Sequence, residues 1–72
     1  MIRSDGFQAW WLHGKRHRVD GPAVIYPSGR EEWWINDQDI THRVENWIVA
    51  NDYPEWREWS EEIWIQFRAR FL

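Results

Sequence analysis

The sequence has no cysteine, which removes a disulfide framework, a thiolate metal site and a cysteine nucleophile together. It has no apolar run near the roughly 18 residues of a membrane span, and its N-terminus shows no signal-peptide apolar region. It also has no excess of basic charge. Nine Lys and Arg stand against twelve Asp and Glu, a balance unlike that of a general duplex-DNA binder. The expectation is a cytoplasmic, soluble chain that folds without covalent staples. Residues 1–72 have the length of a single domain, and so short a chain buries only about 60% of the surface its unfolded form exposes. Its core must be dense in large apolar groups, and eight Trp, three Phe and two Tyr answer that demand.

The net charge of −3 conceals an asymmetry. Residues 1–30 carry Arg3, Lys15, Arg16, Arg18 and Arg30 against Asp5 and Asp20, whereas residues 31–72 carry ten acids against Arg43, Arg57, Arg68 and Arg70. Such halves either attract each other within the fold or present a dipolar surface that steers one face toward a charged partner.

A repeat organises the first half. Trp10-Trp11-Leu12-His13-Gly14-Lys15 recurs 23 positions later as Trp33-Trp34-Ile35-Asn36-Asp37-Gln38, and His17-Arg18 recurs 25 positions on as His42-Arg43. On this alignment the second copy holds two extra residues, and no second Asp-Gly-Pro-Ala follows it. Phe7 to His13, Ala23 to Tyr26 and Glu32 to Asn36 are β-prone. His13-Gly14, Asp20-Gly21-Pro22 and Pro27-Ser28-Gly29 are turn signals, and Pro22 suits the first position of a strand. The spacing predicts a three-stranded antiparallel meander.

After Thr41, a candidate helix cap, the period changes. Val44, Trp47, Ile48 and Asn51 follow helical spacing until Asn51-Asp52 breaks it. Trp56, Trp59, Ile63, Trp64, Phe67 and Phe71 form one apolar stripe, with Arg68 and Arg70 in the last turn. The second helix starts either at Pro54 or at Ser60, followed by Glu61-Glu62. Ile65, Phe67, Ala69 and Phe71 also alternate as a strand would, but the stripe begins well before the alternation and favours helix. The fold class is therefore α+β: a hairpin sheet at about residues 7–36, packed on one or two C-terminal helices, with 7–43 as the repeat region and 44–72 as a mainly helical tail.

The run from Trp10 to Ala23 resembles the short repeat W-[WY]-x-N-G-x-x-H-R-x-D-G-P-A of tailed-phage and giant-virus proteins, and it is similar in hairpin logic to MORN-variant repeats. The resemblance covers roughly residues 7–43, and its H-R-x-D-G-P-A core, His17 to Ala23, is the specific part. The second copy departs from the pattern, because Asp37 stands where the glycine would be and the Asp-Gly-Pro-Ala is missing. The tail, with Trp47, Trp56, Trp59 and its basic-aromatic end, resembles the ends of small phage proteins of this kind. The resemblance implies a phage origin and expression inside a bacterial host. It carries no assigned activity, so it transfers no functional residue.

The chemistry-bearing side chains argue against an enzyme. Ser4, Ser28, Ser60 and Thr41 lie at a terminus, a turn or candidate caps, and no Ser or Thr is set beside a histidine with an orienting carboxylate. Gly6, Gly14, Gly21 and Gly29 are spaced as turn residues and not as a phosphate cradle. His13, His17 and Asp20, with His42, are the candidate ligands for zinc or nickel. Their spacing matches no strong zinc motif, and turn-holding by the Asp with a His packed on a Trp explains them equally. No metal and no cofactor is expected.

The tryptophans carry the functional expectation. Neighbouring strand residues point to opposite faces, so one of each pair enters the core and the other lies outside, either Trp10 with Trp33 or Trp11 with Trp34. The outer pair is covered by the chain itself, buried in a homodimer, or used to bind a partner. The candidate contact set is Trp10, Trp11, Arg16, Arg18, Arg30, Trp33 and Trp34. It points to a non-enzymatic phage-type protein that engages and inhibits a host or defence protein, since Trp and Arg dominate interface hot spots. The alternatives are single-stranded nucleic acid stacked on the same aromatics and a homo-oligomeric assembly role. The acids from Glu45 to Glu62 either imitate a nucleic-acid backbone or form a solvated helix face.

Overall fold

A computed structural model describes residues 4–72. The fold is α+β: seven short strands in antiparallel pairs, followed by two helices. Strands β1 (Gln8–Ala9), β4 (Val24–Ile25) and β5 (Glu31–Glu32) form the meander, with β4 central. Strands β2 (Trp11–Leu12) and β3 (Lys15–Arg16) make one hairpin, and β6 (Trp34–Ile35) and β7 (Gln38–Asp39) make the other.

The two hairpins are copies in detail. His13 and Gly14 have φ of 52° and 75°, and Asn36 and Asp37 have 49° and 67°. Positive φ at both central residues defines the type I′ turn, whose twist matches that of the flanking strands. Trp11 faces Arg16 in the first hairpin and Trp34 faces Asp39 in the second, so the spacing of 23 holds throughout. The two-residue insertion inferred from the His-Arg pairs is therefore absent. The counterparts of His17 and Arg18 are Ile40 and Thr41, while His42 and Arg43 lie exposed in the first turn of a helix.

At Trp10 the chain leaves one strand partner for another. Its N–H donates to the Ala23 carbonyl at 2.9 Å, and its carbonyl accepts from the His17 N–H at 3.2 Å. Trp33 repeats this step without an Asp-Gly-Pro-Ala segment to supply the acceptor. The Thr41 hydroxyl takes that place, accepting from the Trp33 N–H at 3.0 Å, and the Trp33 carbonyl accepts from Ile40 at 2.8 Å.

Helix α1 (Thr41–Ala50) begins at this same residue, and Thr41 is not its cap. Ile40 occupies the cap position, and Asp39 accepts both the N–H of Thr41 at 2.9 Å and its hydroxyl. The hydrogen bond from the Thr41 hydroxyl, opposed by desolvation and aided by the Thr41 N–H, holds the Asp39 carboxyl below its ordinary value of 3.8. Asn51 and the left-handed Asp52 (φ 55°) end α1. Trp56–Glu58 form a single 3-10 turn, and α2 (Glu61–Phe71) starts after Ser60, whose hydroxyl accepts from the Ile63 N–H. The later of the two possible starts is thus the one adopted, and the alternating segment is helix.

The core lies between the second hairpin and the helices. Trp33, Ile35, Ile40, Val44, Trp59 and Phe67 are buried, with Trp47, Ile48, Trp56, Ile63, Trp64 and Phe71 packed around them. Phe67 is fully buried and has five aromatic rings within about 6 Å of its own, those of Trp33, Trp47, Trp59, Trp64 and Phe71. Trp59 stacks on Trp33 at 5.6 Å and donates its indole N–H to the Pro54 carbonyl at 2.7 Å. A smaller buried group under the first copy consists of Ala9, Pro22, Ala23 and Val24. Among the described residues no helix is long and apolar enough to cross a membrane.

Two outcomes follow from this packing. Trp59→Ala removes a stacked ring and a buried donor, and the loss should be about 3–5 kcal/mol, read as a lowered denaturant midpoint; a midpoint near wild type would contradict the core assignment. The folded Asp39 carboxyl is more acidic than the unfolded one. Its stabilisation is therefore complete above the unfolded value, near about 4, and lost as pH falls through the folded value. Thermal unfolding followed from pH 6 to 2 should show that loss in wild type, and Asp39→Asn should flatten part of the slope.

Candidate functional site

The segment His17 to Ala23 closes around one arginine. Arg18 lies with its guanidinium carbon 3.7 Å from the centre of the Trp10 ring and 5.5 Å from that of Trp56. Its Nε donates to Asp20 at 2.9 Å and its Nη1 to the Pro22 carbonyl at 3.1 Å. A Cβ on Gly21 would stand 2.8 Å from the guanidinium carbon, so any larger residue there would push the arginine off this position. His17 ties the copies together by accepting the Asn36 N–H on Nδ1 at 3.0 Å. The residues of this segment therefore work on the fold: an arginine stacked on indole, an aspartate and a carbonyl to hold it, a glycine beside it, and an imidazole to join the next hairpin.

This geometry divides the candidate contact set. Trp33 is buried at 4% exposure and cannot present a surface. Trp10 and Arg18 are half-buried against each other on the same side as Trp33, and they brace the sheet against Trp56. Trp11 and Trp34 are the outer pair. Arg16 lies between them, its guanidinium carbon 5.3 Å from the Trp11 ring centre and 4.9 Å from that of Trp34. The chain thus covers part of its own outer pair, yet Trp11 remains 52% exposed.

Arg30 joins this face through Glu32, which accepts the Trp34 indole N–H at 3.1 Å and pairs with Arg30 at 3.5 Å. The site that the structure assembles is Trp11, Arg16, Trp34, Glu32 and Arg30. Glu32 was not among the sequence candidates. Its signal was its position two residues before Trp34, on the same face of the strand. The exposed Val49 and Ile65 were also missed, although both lie off the apolar stripes of their helices.

The Arg16 Nε atom is buried without a hydrogen-bond partner among the described residues. Indole faces attract the cation from either side, so the arginine is held by rings and not by a carboxylate. The ion pairs among the described residues are mostly local, such as Arg18 with Asp20 and Arg68 with Glu61, and even the longer Arg57 to Glu31 bridge stays within the acidic half. Among these ion pairs Arg30 with Glu32 alone crosses between the halves, and the remaining charge asymmetry is not cancelled by direct pairing among the described residues.

His13 lies exposed at its turn, His17 is engaged with Asn36, and Asp20 with Arg18. Among the described residues no group of three or more His, Cys, Asp or Glu side chains is placed to hold a metal ion. Comparison with protein-family models, with curated proteins and with solved structures finds no match to this chain.

The Arg18 arrangement is testable by coupling. Arg18→Ala and Gly21→Ala should each cost about 1–2 kcal/mol, because each removes the indole stack and its hydrogen bonds. In the double variant the second change should add little. Fully additive losses in chemical denaturation would show that Gly21 serves something other than the arginine.

Proposed function

We propose that this chain is a non-enzymatic, phage-type binding protein that engages and inhibits a protein of the bacterial host or its defence, in the host cytoplasm, with Trp11, Arg16, Trp34 and Arg30 as its contact surface. The observation that carries this is the outer stack itself, a half-exposed Trp11 laid against an arginine that a second tryptophan holds from behind. Both hairpins that carry the stack are fixed by type I′ turns, so little backbone freedom remains to be lost on association. Aromatic and arginine side chains held in this way are the commonest sources of interface energy.

The non-enzymatic part is supported by where the reactive groups are spent. His17 and Asp20 hold the repeat, Thr41 serves the Trp33 N–H, and Ser60 caps α2. A partner protein is favoured over single-stranded nucleic acid because Arg16 already fills the space between the two rings and leaves one exposed indole face, whereas a strand of bases needs a succession of them. The neighbouring carboxylates of Glu32 and Asp37, which accept from Trp34 and from the Arg16 N–H, would also repel phosphate.

The test is to isolate the tagged protein from bacterial cells after nuclease treatment and identify what stays bound. A host protein should be retained by wild type. Trp11→Ala and Trp34→Ala should each weaken its binding roughly thirtyfold, the equivalent of about 2 kcal/mol, with thermal stability close to wild type. Bound material that disappears with nuclease would move the function to nucleic acid. Equal retention by both variants would remove this face from the interface.

A further inference from the structure

The contact between the two copies shows what an added strand looks like on this sheet. The segment Arg16-His17-Arg18 runs antiparallel to the second hairpin and joins it by four hydrogen bonds, one of them from the Arg16 N–H to the Asp37 carboxylate at 3.4 Å. The Arg16 carbonyl accepts the Asp37 N–H at 2.8 Å, His17 Nδ1 accepts the Asn36 N–H at 3.0 Å, and the Arg18 N–H donates to the Trp34 carbonyl at 3.2 Å. The Arg16 side chain simultaneously lies over the Trp34 ring. A basic strand is therefore held by two turn amides, one carbonyl, one carboxylate and one indole.

The first hairpin offers the two turn amides, the carbonyl and an indole with Arg16 on one side only, and it lacks the carboxylate because Gly14 stands at the place of Asp37. Gly14, His13 and Trp11 are the counterparts of Asp37, Asn36 and Trp34 at the constant spacing of 23. The two turns have matching positive φ. Trp11 and Arg16 form the wide pair of their ladder, flanked by the bonded pairs Leu12 with Lys15 and Trp10 with His17, so the Trp11 carbonyl points away from β3. The Trp11 carbonyl and the His13 and Gly14 N–H groups make no bond to another element among the described residues. Trp11, Leu12, His13 and Gly14 are all exposed.

The opposite end is closed. There the counterparts of Arg16, His17 and Arg18 are Asp39, Ile40 and Thr41, the imidazole is gone, and the Thr41 N–H is taken by Asp39 as α1 begins.

We infer that the edge of β2 with its turn, Trp11 to Gly14, is a docking site for one extended, arginine-bearing strand of a partner protein, added antiparallel with the arginine on the free side of the Trp11 ring. The inference rests on the protein-binding function proposed above and names what the partner presents there. Strand addition of this kind draws affinity from main-chain bonds and specificity from the side chain that meets the ring. A second copy of this chain is a poorer occupant. Its own Arg16-His17-Arg18 segment is already bonded to its second hairpin.

The probe is a synthetic peptide with the sequence of residues 15–20, Lys-Arg-His-Arg-Val-Asp, titrated into the isotopically labelled full chain and followed by amide NMR. Saturable shifts at Trp11 to Gly14, with slowed hydrogen exchange at the His13 and Gly14 amides, are the expected result. The peptide carrying Arg16→Ala should bind about tenfold more weakly, and Trp11→Ala in the protein should weaken the unmodified peptide to a similar degree. Shifts spread over the acids of α1 and α2, or none at millimolar peptide, would overturn the inference. So would a concentration-dependent dimer that protects the same amides without peptide. A host protein still retained through Trp11 and Trp34 while the peptide fails would sink the strand inference alone; peptide binding with no retained host protein would sink the proposed function instead.

Discussion

The N–H of a strand residue that changes partners must find an acceptor, because an unpaired buried donor costs about as much as the chain can spare. Trp10 and Trp33 both stand at such a crossing, and most of the architecture follows from how each donor is answered. At Trp10 the acceptor is the Ala23 carbonyl, which requires the chain to turn back through Asp20-Gly21-Pro22, and that turn in turn holds Arg18. At Trp33 the acceptor is the Thr41 hydroxyl. No returning strand is needed there, so the chain is free to become a helix on the spot. One backbone requirement, met in two ways, is why the repeat stops and the helical half begins where it does.

Much of this was legible in the sequence. The turn at His13-Gly14, the antiparallel pairing of the three β-prone runs and the apolar stripe from Ile63 to Phe71 are written in turn chemistry and period, and they appear as expected, whereas the hairpin at Asn36-Asp37 and the breaks at Trp10 and Trp33 do not follow from either. The boundary at the end of the second copy was not legible. A matching His-Arg dipeptide suggested an insertion, whereas the constant strand register places a different pair, Ile40 and Thr41, in those roles. Residue identity misled because the positions do different work. His17 must accept a neighbour's N–H, while Ile40 enters the core.

The candidate site was legible as a set and not as a face. Alternation along the strand guaranteed that one tryptophan of each pair would lie outward, but only tertiary packing could say which one. The helices chose Trp33 for the core, and the common register then assigned Trp10 to the same side. Arg18, which looked like a rim cation, is absorbed by its own repeat, whereas Arg16, two residues earlier, lies on the opposite side and joins the outer stack. Two residues of one type in one short segment thus have separate fates. The difference is set by the indole each one meets.

The parallel packing of Trp33 on Trp59, 5.6 Å apart and inclined by 22°, has an optical consequence. Two indoles so close share their electronic excitation, and the resulting exciton signal falls in the ultraviolet region where helical peptide bonds also absorb. Circular dichroism of this protein will therefore report the coupled indoles of the core, Trp59 with Trp33, Trp47 and Trp64, superimposed on the backbone. Helix content taken from the spectrum alone will be distorted, whereas the part of the signal that Trp33 contributes becomes an intrinsic reporter of whether the second hairpin is still seated on the helices.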